Sequence, residues 1–170
     1  ETLRHDKTIP ANELGGPVFV LGAAEAYIAR EMGPSESRRR YLMAAGYLDE
    51  ARDRGFPPGR KAEGLFLLGE SLYHSGQIPA CRSALKEAME VDRSRKSEIF
   101  DLLAAACLED ATPKLADALQ YNTRYLADRL LPQADRHRAL VRQAQILLRM
   151  DKREECREAL AQVPADSQSH

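Results

Sequence analysis

The side chains with the widest chemical repertoire are few and scattered in this 170-residue chain. Three cysteines stand at 81, 107 and 156, and four histidines at 5, 74, 137 and 170. A catalytic thiol needs a histidine partner and partial exposure. A tetrahedral metal site draws its ligands from spacings such as CxxC, HxxxH or HExxH. None of these patterns occurs. The acid pairs Glu109–Asp110 and Glu154–Glu155 fall in or beside turns and helix starts, where the macrodipole favours negative charge. There is no GxSxG and no Gly-rich phosphate loop following a strand. The residues predict no active site, no metal and no cofactor.

Composition points the same way. Formal net charge is −1 with acids and bases interspersed, whereas duplex binding calls for a basic excess, so nucleic acid is a poor partner class. An odd, widely spaced set of cysteines suggests no disulfide framework. Ala, Leu, Arg and Glu dominate, a helical composition. The longest apolar run, "VFVLGAAEAYIA" at 18–29, is too short to span a bilayer and carries Glu25. No signal peptide is evident, and the first residue is Glu rather than Met, so the chain reads as a processed chain or an excised domain. The compartment stays open between cytoplasm and the soluble side of an anchored envelope protein.

Stepping along the chain, residues 1–16 lack a helical period and read as an extended or disordered arm, and 164–170 as a tail. Between them a helix–turn–helix pattern recurs four times, at 17–54, 62–92, 97–128 and 137–163. In the clearest unit Leu65, Leu68, Gly69 and Leu72 share one stripe, Gly76 ends that helix, and Pro79 opens the next. The second helix carries Cys81, Leu85 and Ala88. Phe100, Leu103, Ala104 and Cys107 repeat the first stripe, and Ala118, Asn122 and Tyr125 the second. Thr112 and Pro113 are expected as N-cap and first residue of that helix, after a turn two residues longer. Leu140, Ala144 and Leu147, then Cys156, Leu160 and Val163, repeat the pair again. The first unit is atypical. "FVLGAA" at 19–24 parallels "FLLGES" at 66–71, and Ala44, Leu48 and Ala51 have the second-helix spacing, but extra residues around Gly33 and Pro34 should lengthen both helices. "SESRRRY" at 35–41 reads as the solvated start of a long helix.

This pattern resembles the tetratricopeptide repeat, of bacterial type, a helical hairpin of about 34 residues. In that family a small residue of helix A meets a small residue of helix B. Here the pairs are Gly69 with Cys81, Ala104 with Ala118, and Ala144 with Cys156, which lets the axes approach to about 8–9 Å. Cys81 and Cys156 thus read as small buried hydrophobes. Asn122 falls outside the family pattern and reads either as a buried polar group needing a partner or as part of a shifted exposed face. The resemblance implies an all-α, right-handed solenoid of about four antiparallel helical hairpins. It also implies a non-catalytic protein-interaction module that holds a peptide or helix in a concave groove lined by the A helices.

By that register the groove set is Phe19, Ala23, Tyr27, Glu63, Phe66, Glu70, Tyr73, His74, Asp101, Ala105, Arg138, Val141, Gln145 and Arg149. The lysine and asparagine with which chaperone-tail receptors of the family clamp a carboxylate would fall at Phe19 and Ala23, or Phe66 and Glu70, so that mode is not expected. Basic residues gather where hairpins meet: Arg52, Arg54, Arg60 and Lys61, then Arg93, Arg95 and Lys96, then Arg136 and Arg138. They form either a ridge for an acidic surface or ordinary helix-end charge compensation. The alternative function is a structural spacer or oligomerisation unit of a larger, envelope-anchored protein. The last hairpin is followed only by "PADSQSH", so its flank is expected to be polar enough to stand in water, to be covered by further sequence, or to pair with another chain.

Overall fold

The computed structural model describes residues 15–163, and all of its regular elements are helices. They are α1 (Gly15–Arg30), α2 (Pro34–Arg54), α3 (Lys61–His74), α4 (Ile78–Val91), α5 (Lys96–Glu109), α6 (Leu115–Leu126), α7 (Gln133–Arg149) and α8 (Arg153–Ala161). No strand occurs among the described residues, and no helix among them is long and apolar enough to cross a membrane. The expected arm falls mostly outside the described residues, as does the tail. Gly15 and Gly16, however, belong to the first turn of α1. A Cβ at Gly15 would sit 2.1 Å from the Gly55 carbonyl oxygen, so a side chain there would obstruct the end of α2.

The chain divides at Ser94 and Arg95 into two compact units. In the first, α1 packs on α2, α2 on α3 and α3 on α4, with α1 also touching α3. In the second, α5 packs on α6, α6 on α7 and α7 on α8. The first pair of helices is long, 16 and 21 residues against 14 each for α3 and α4.

Close helix contact is enforced by size. A Cβ added to Gly22 would lie 2.7 Å from Cγ of Leu48, and one added to Gly69 would lie 2.6 Å from Cγ of Leu85. The two glycines thus play the same part in two hairpins. Cys81 is fully buried, Cys107 and Cys156 are buried, and all three are free thiols. In the second unit, Cys107, Ala118 and Ile146 form one apolar cluster, and Ala144, Leu147, Cys156 and Ala159 another. Leu119 packs against both, so α6 carries the continuity from α5 to α7–α8.

Each of the last three hairpins closes its turn with the same hydrogen bond. The residue before helix B donates its N–H to one carbonyl near the end of helix A: Gln77 to Leu72 at 2.8 Å, Lys114 to Cys107 at 2.9 Å, Lys152 to Leu147 at 2.9 Å. Four residues on, Cys81, Ala118 and Cys156 each return an N–H to that same residue's carbonyl. Two of the turns are Schellman motifs, with second bonds from Gly76 to Tyr73 and from Asp151 to Leu148. The left-handed position is filled by Gly76 (φ 86°) in one and by Asp151 (φ 58°) in the other. The α5–α6 turn is two residues longer and α6 starts later than expected. Thr112 and Pro113 precede the helix and Lys114 takes the N-cap position, because the bond to Cys107 sets where the helix starts.

A left-handed conformation costs a non-glycine residue about 1–2 kcal/mol, and glycine returns part of that as unfolded-chain entropy. Asp151→Gly is expected to stabilise the protein by up to about 1 kcal/mol in urea denaturation. Gly69→Val should cost about 1–3 kcal/mol through overpacking against Leu85.

Candidate functional site

In the first unit, α1 and α3 bring together one polar and aromatic cluster. The Tyr27 hydroxyl donates to Glu63 Oε1 at 3.0 Å. Arg30 forks onto Glu70, with its Nη2 2.6 Å from Oε2, and its guanidinium lies 5.1 Å from the Tyr27 ring centroid. His74 stacks on Tyr41 of α2 at 4.4 Å and meets the Tyr73 ring edge-on at 5.0 Å. Arg60 pairs with Glu63 at 2.8 Å. Tyr27 and His74 are exposed, Tyr73 and Glu70 partly so, while Tyr41 is buried.

Three expected members are elsewhere. Phe19 and Phe66 are 3 % and 4 % exposed, and Ala23 is also buried, so none of them presents a surface for a partner. Phe19 meets Phe56 edge-to-face at 6.0 Å under the Arg60 guanidinium, which is where its apolar area is best removed from water. The periodic stripe that suggested groove aromatics is, at these positions, the inner seam of the helix pair.

The corresponding contact of the second unit, between α5 and α7, is a polar lock. Asn122 is fully buried and resolves the open question of its place. Its Nδ2 donates to the Ala139 carbonyl at 2.9 Å, and its Oδ1 accepts from Arg142 Nε at 2.8 Å. Arg142 also donates to the Asp101 carbonyl oxygen at 2.9 Å and forms an ion pair with the Asp101 carboxylate. Arg138 reaches the same carboxylate at 3.3 Å and pairs with Asp135 at 3.0 Å. Asp101 and Arg138 are therefore engaged, Gln145 and Arg149 are exposed, and Arg149 donates to the Leu108 carbonyl at 3.3 Å. Arg142 and Asn122 are the residues that sequence reasoning did not join. The signal available was a polar residue interrupting the apolar stripe of α6.

The basic residues between hairpins are mostly engaged locally. Arg52 pairs with Asp49, Arg54 with Glu50, Lys61 with Glu87 and Arg95 with Glu98, all in exposed or half-exposed geometry. Arg136 donates to the carbonyls of Leu126 and Asp128 at the end of α6. These contacts are the helix-end compensation expected of cations. Arg93 is exposed and Lys96 partly buried. An opening of about 550 Å³ between α2 and α4 is lined by Leu42, Gly46, Asp49, Arg52 and Gln77 among others, and its two charged groups face each other. Among the described residues no three His, Cys, Asp or Glu side chains converge as metal ligands.

Burial raises the Tyr41 phenol above its ordinary value, and the Glu70 charge adds to this against the opposing effect of Arg30. Burial likewise raises Tyr125, reinforced by Asp101 and Asp135 and opposed by Arg138. Since the folded pKa lies above the unfolded one, the stabilisation is full below pH about 10 and is lost as pH rises through the folded value. Followed at 295 nm, alkaline titration should lose its latest-ionising amplitude in Tyr41→Phe and Tyr125→Phe. In the lock, Asn122→Ala strips hydrogen bonds from Arg142 and the Ala139 carbonyl and should cost about 1–3 kcal/mol in urea denaturation. Asn122→Leu combined with Arg142→Leu should recover part of that loss, because the buried polar groups are then removed together.

No family model, no curated protein and no solved structure matches this chain.

Proposed function

We propose that this protein is a non-catalytic interaction module of the tetratricopeptide type, which holds a peptide or short helix on the α1–α3 face of its first unit. The observation that carries this reading is the Tyr27–Arg30–Glu63–Glu70–Tyr73–His74 cluster. Its aromatic rings are partly exposed, with Tyr27 hydrogen-bonded to Glu63 and His74 stacked on Tyr41 between helices, and Tyr73 edge-on to its neighbour His74. Rigid, half-exposed tyrosines beside an Arg–Glu pair supply anchor area at small entropic cost, with polar groups to set orientation. The repeat reading rests on the recurring turn-closing bond and on the matched Gly22–Leu48 and Gly69–Leu85 contacts.

A second reading, a spacer or oligomerisation unit, is favoured by the apolar stripe of α1, where Val20 is 62 % and Ile28 45 % exposed with Ala24 between them. The two part under selection of a random peptide library on the immobilised protein. A peptide binder should enrich a family of sequences whose affinity falls tenfold or more in Tyr27→Ser or Tyr73→Ser, with circular dichroism unchanged. Absence of enrichment, together with a concentration-dependent oligomer lost in Ile28→Asp, would favour the assembly reading.

A further inference from the structure

Glycine inside a helix is destabilising relative to alanine, so each one needs a reason. Gly22, Gly64 and Gly69 have theirs within this chain: a Cβ on them would strike Leu48, Phe56 and Leu85 in turn. Gly46 has none. It lies in the interior of the 21-residue α2, it is exposed, and a Cβ built on it would meet nothing within 4 Å. Beside it runs the opening of about 550 Å³ between α2 and α4, whose apolar lining includes Leu42, Ala45, Leu72 and Ala80. Leu42 stands at that opening 56 % exposed. The charged groups of the lining, Asp49 and Arg52, already pair with each other at 2.6 Å, so the hollow suits an apolar side chain rather than a charged one. Bare helix backbone beside an apolar hollow is where another helix can come close.

Charge selects the occupant. At 3.6 residues per turn, Arg39, Leu42, Gly46, Asp49 and Asp53 share one exposed face of α2. Arg39 has no ion-pair partner among the described residues. Asp53 is 74 % exposed, and Arg52, the cation beside it, stands 3.8 Å away while holding Asp49. Arg39 lies seven residues before Gly46 and Asp53 seven residues after it. The face is therefore its own complement: turned end for end, it sets arginine against aspartate on both sides of the glycine. We propose that a second copy of this chain docks here, α2 antiparallel on α2 across a two-fold axis at Gly46. By helical position, each Leu42 then falls on the hollow side of the other copy's α2, toward its Asp49 end. Two Arg39–Asp53 pairs close the ends of the contact. The dimer is independent of the α1–α3 face and of any peptide held there.

Sedimentation velocity of the full chain, from micromolar to millimolar concentration, tests this. A concentration-dependent dimer is expected, weakened at least tenfold by Leu42→Asp and by Gly46→Gln with circular dichroism unchanged. Gly46→Gln should also raise the urea midpoint, because glutamine favours helix and the chain itself leaves room for its Cβ. Arg39→Glu alone should weaken the dimer, and Arg39→Glu combined with Asp53→Arg should restore it, which a general loss of folding would not do. A monomer at every concentration, a dimer indifferent to Leu42→Asp and Gly46→Gln, or a charge reversal that restores nothing overturns the proposal. So does a dimer lost in Ile28→Asp but not in the α2 variants, which assigns the contact to α1.

Discussion

Everything in this protein depends on how closely two consecutive helices can approach. At the crossing of helix A with helix B there is room for a hydrogen atom or a methyl-sized group and little more. Gly22 and Gly69 have no Cβ to spare against Leu48 and Leu85, and Ala104, Ala118, Ala144, Cys81 and Cys156 are small and buried. A cysteine here is chosen for volume, and the fully buried Cys81 thiol is as remote from solvent as any leucine of the core. The turn-closing bond then converts approach into register. One N–H of the residue before helix B finds one carbonyl on helix A, which meets the helix-end hydrogen-bonding deficit and fixes where helix B begins.

Neighbouring A helices are joined by different physics. Their contacts are polar: Arg30 on Glu70 in the first unit, Arg142 on Asp101 and Asn122 in the second. Apolar packing tolerates sliding, whereas a part-buried guanidinium shared among an amide oxygen, a backbone carbonyl and a carboxylate tolerates almost none. Any shift of α7 along α5–α6 would leave several desolvated polar groups unmatched at once. The likelihood of alternative registers is thereby reduced at some expense in raw stability, since ion pairs out of water gain little over hydrophobic replacements.

The all-helical class was legible because it follows from local spacing: a 3.6-residue period, a glycine at a helix end, a proline in a first turn. The expected partner of Gly69 was Cys81, whereas the side chain closest to it is Leu85. What escaped notice lies at seams between hairpins. Phe19 and Phe66 share a stripe with true surface residues, and periodicity cannot say whether the next helix covers that stripe; here both rings are buried. Leu160 errs the other way, apolar and in register yet 43 % exposed. Asn122 was ambiguous because its meaning is carried by Arg142, 20 residues away, and no local pattern pairs the two. Thr112 and Pro113 mimic a helix start, but the turn-closing bond from Lys114 to Cys107 overrides them.

The unequal turns carry one more consequence. The α3–α4 and α7–α8 turns close over five residues and the α5–α6 turn over seven, yet the closing bond has the same length to within 0.1 Å. The hairpin is therefore indifferent to contour length at this point: surplus backbone is looped out to solvent while the helix crossing stays put. Since loop closure grows only logarithmically costly, about 0.6 kcal/mol per doubling, the segment from Glu109 to Pro113 is a natural splice point. A recognition tag, a fluorophore-bearing peptide or a whole inserted domain could be carried there without the helices on either side registering the change.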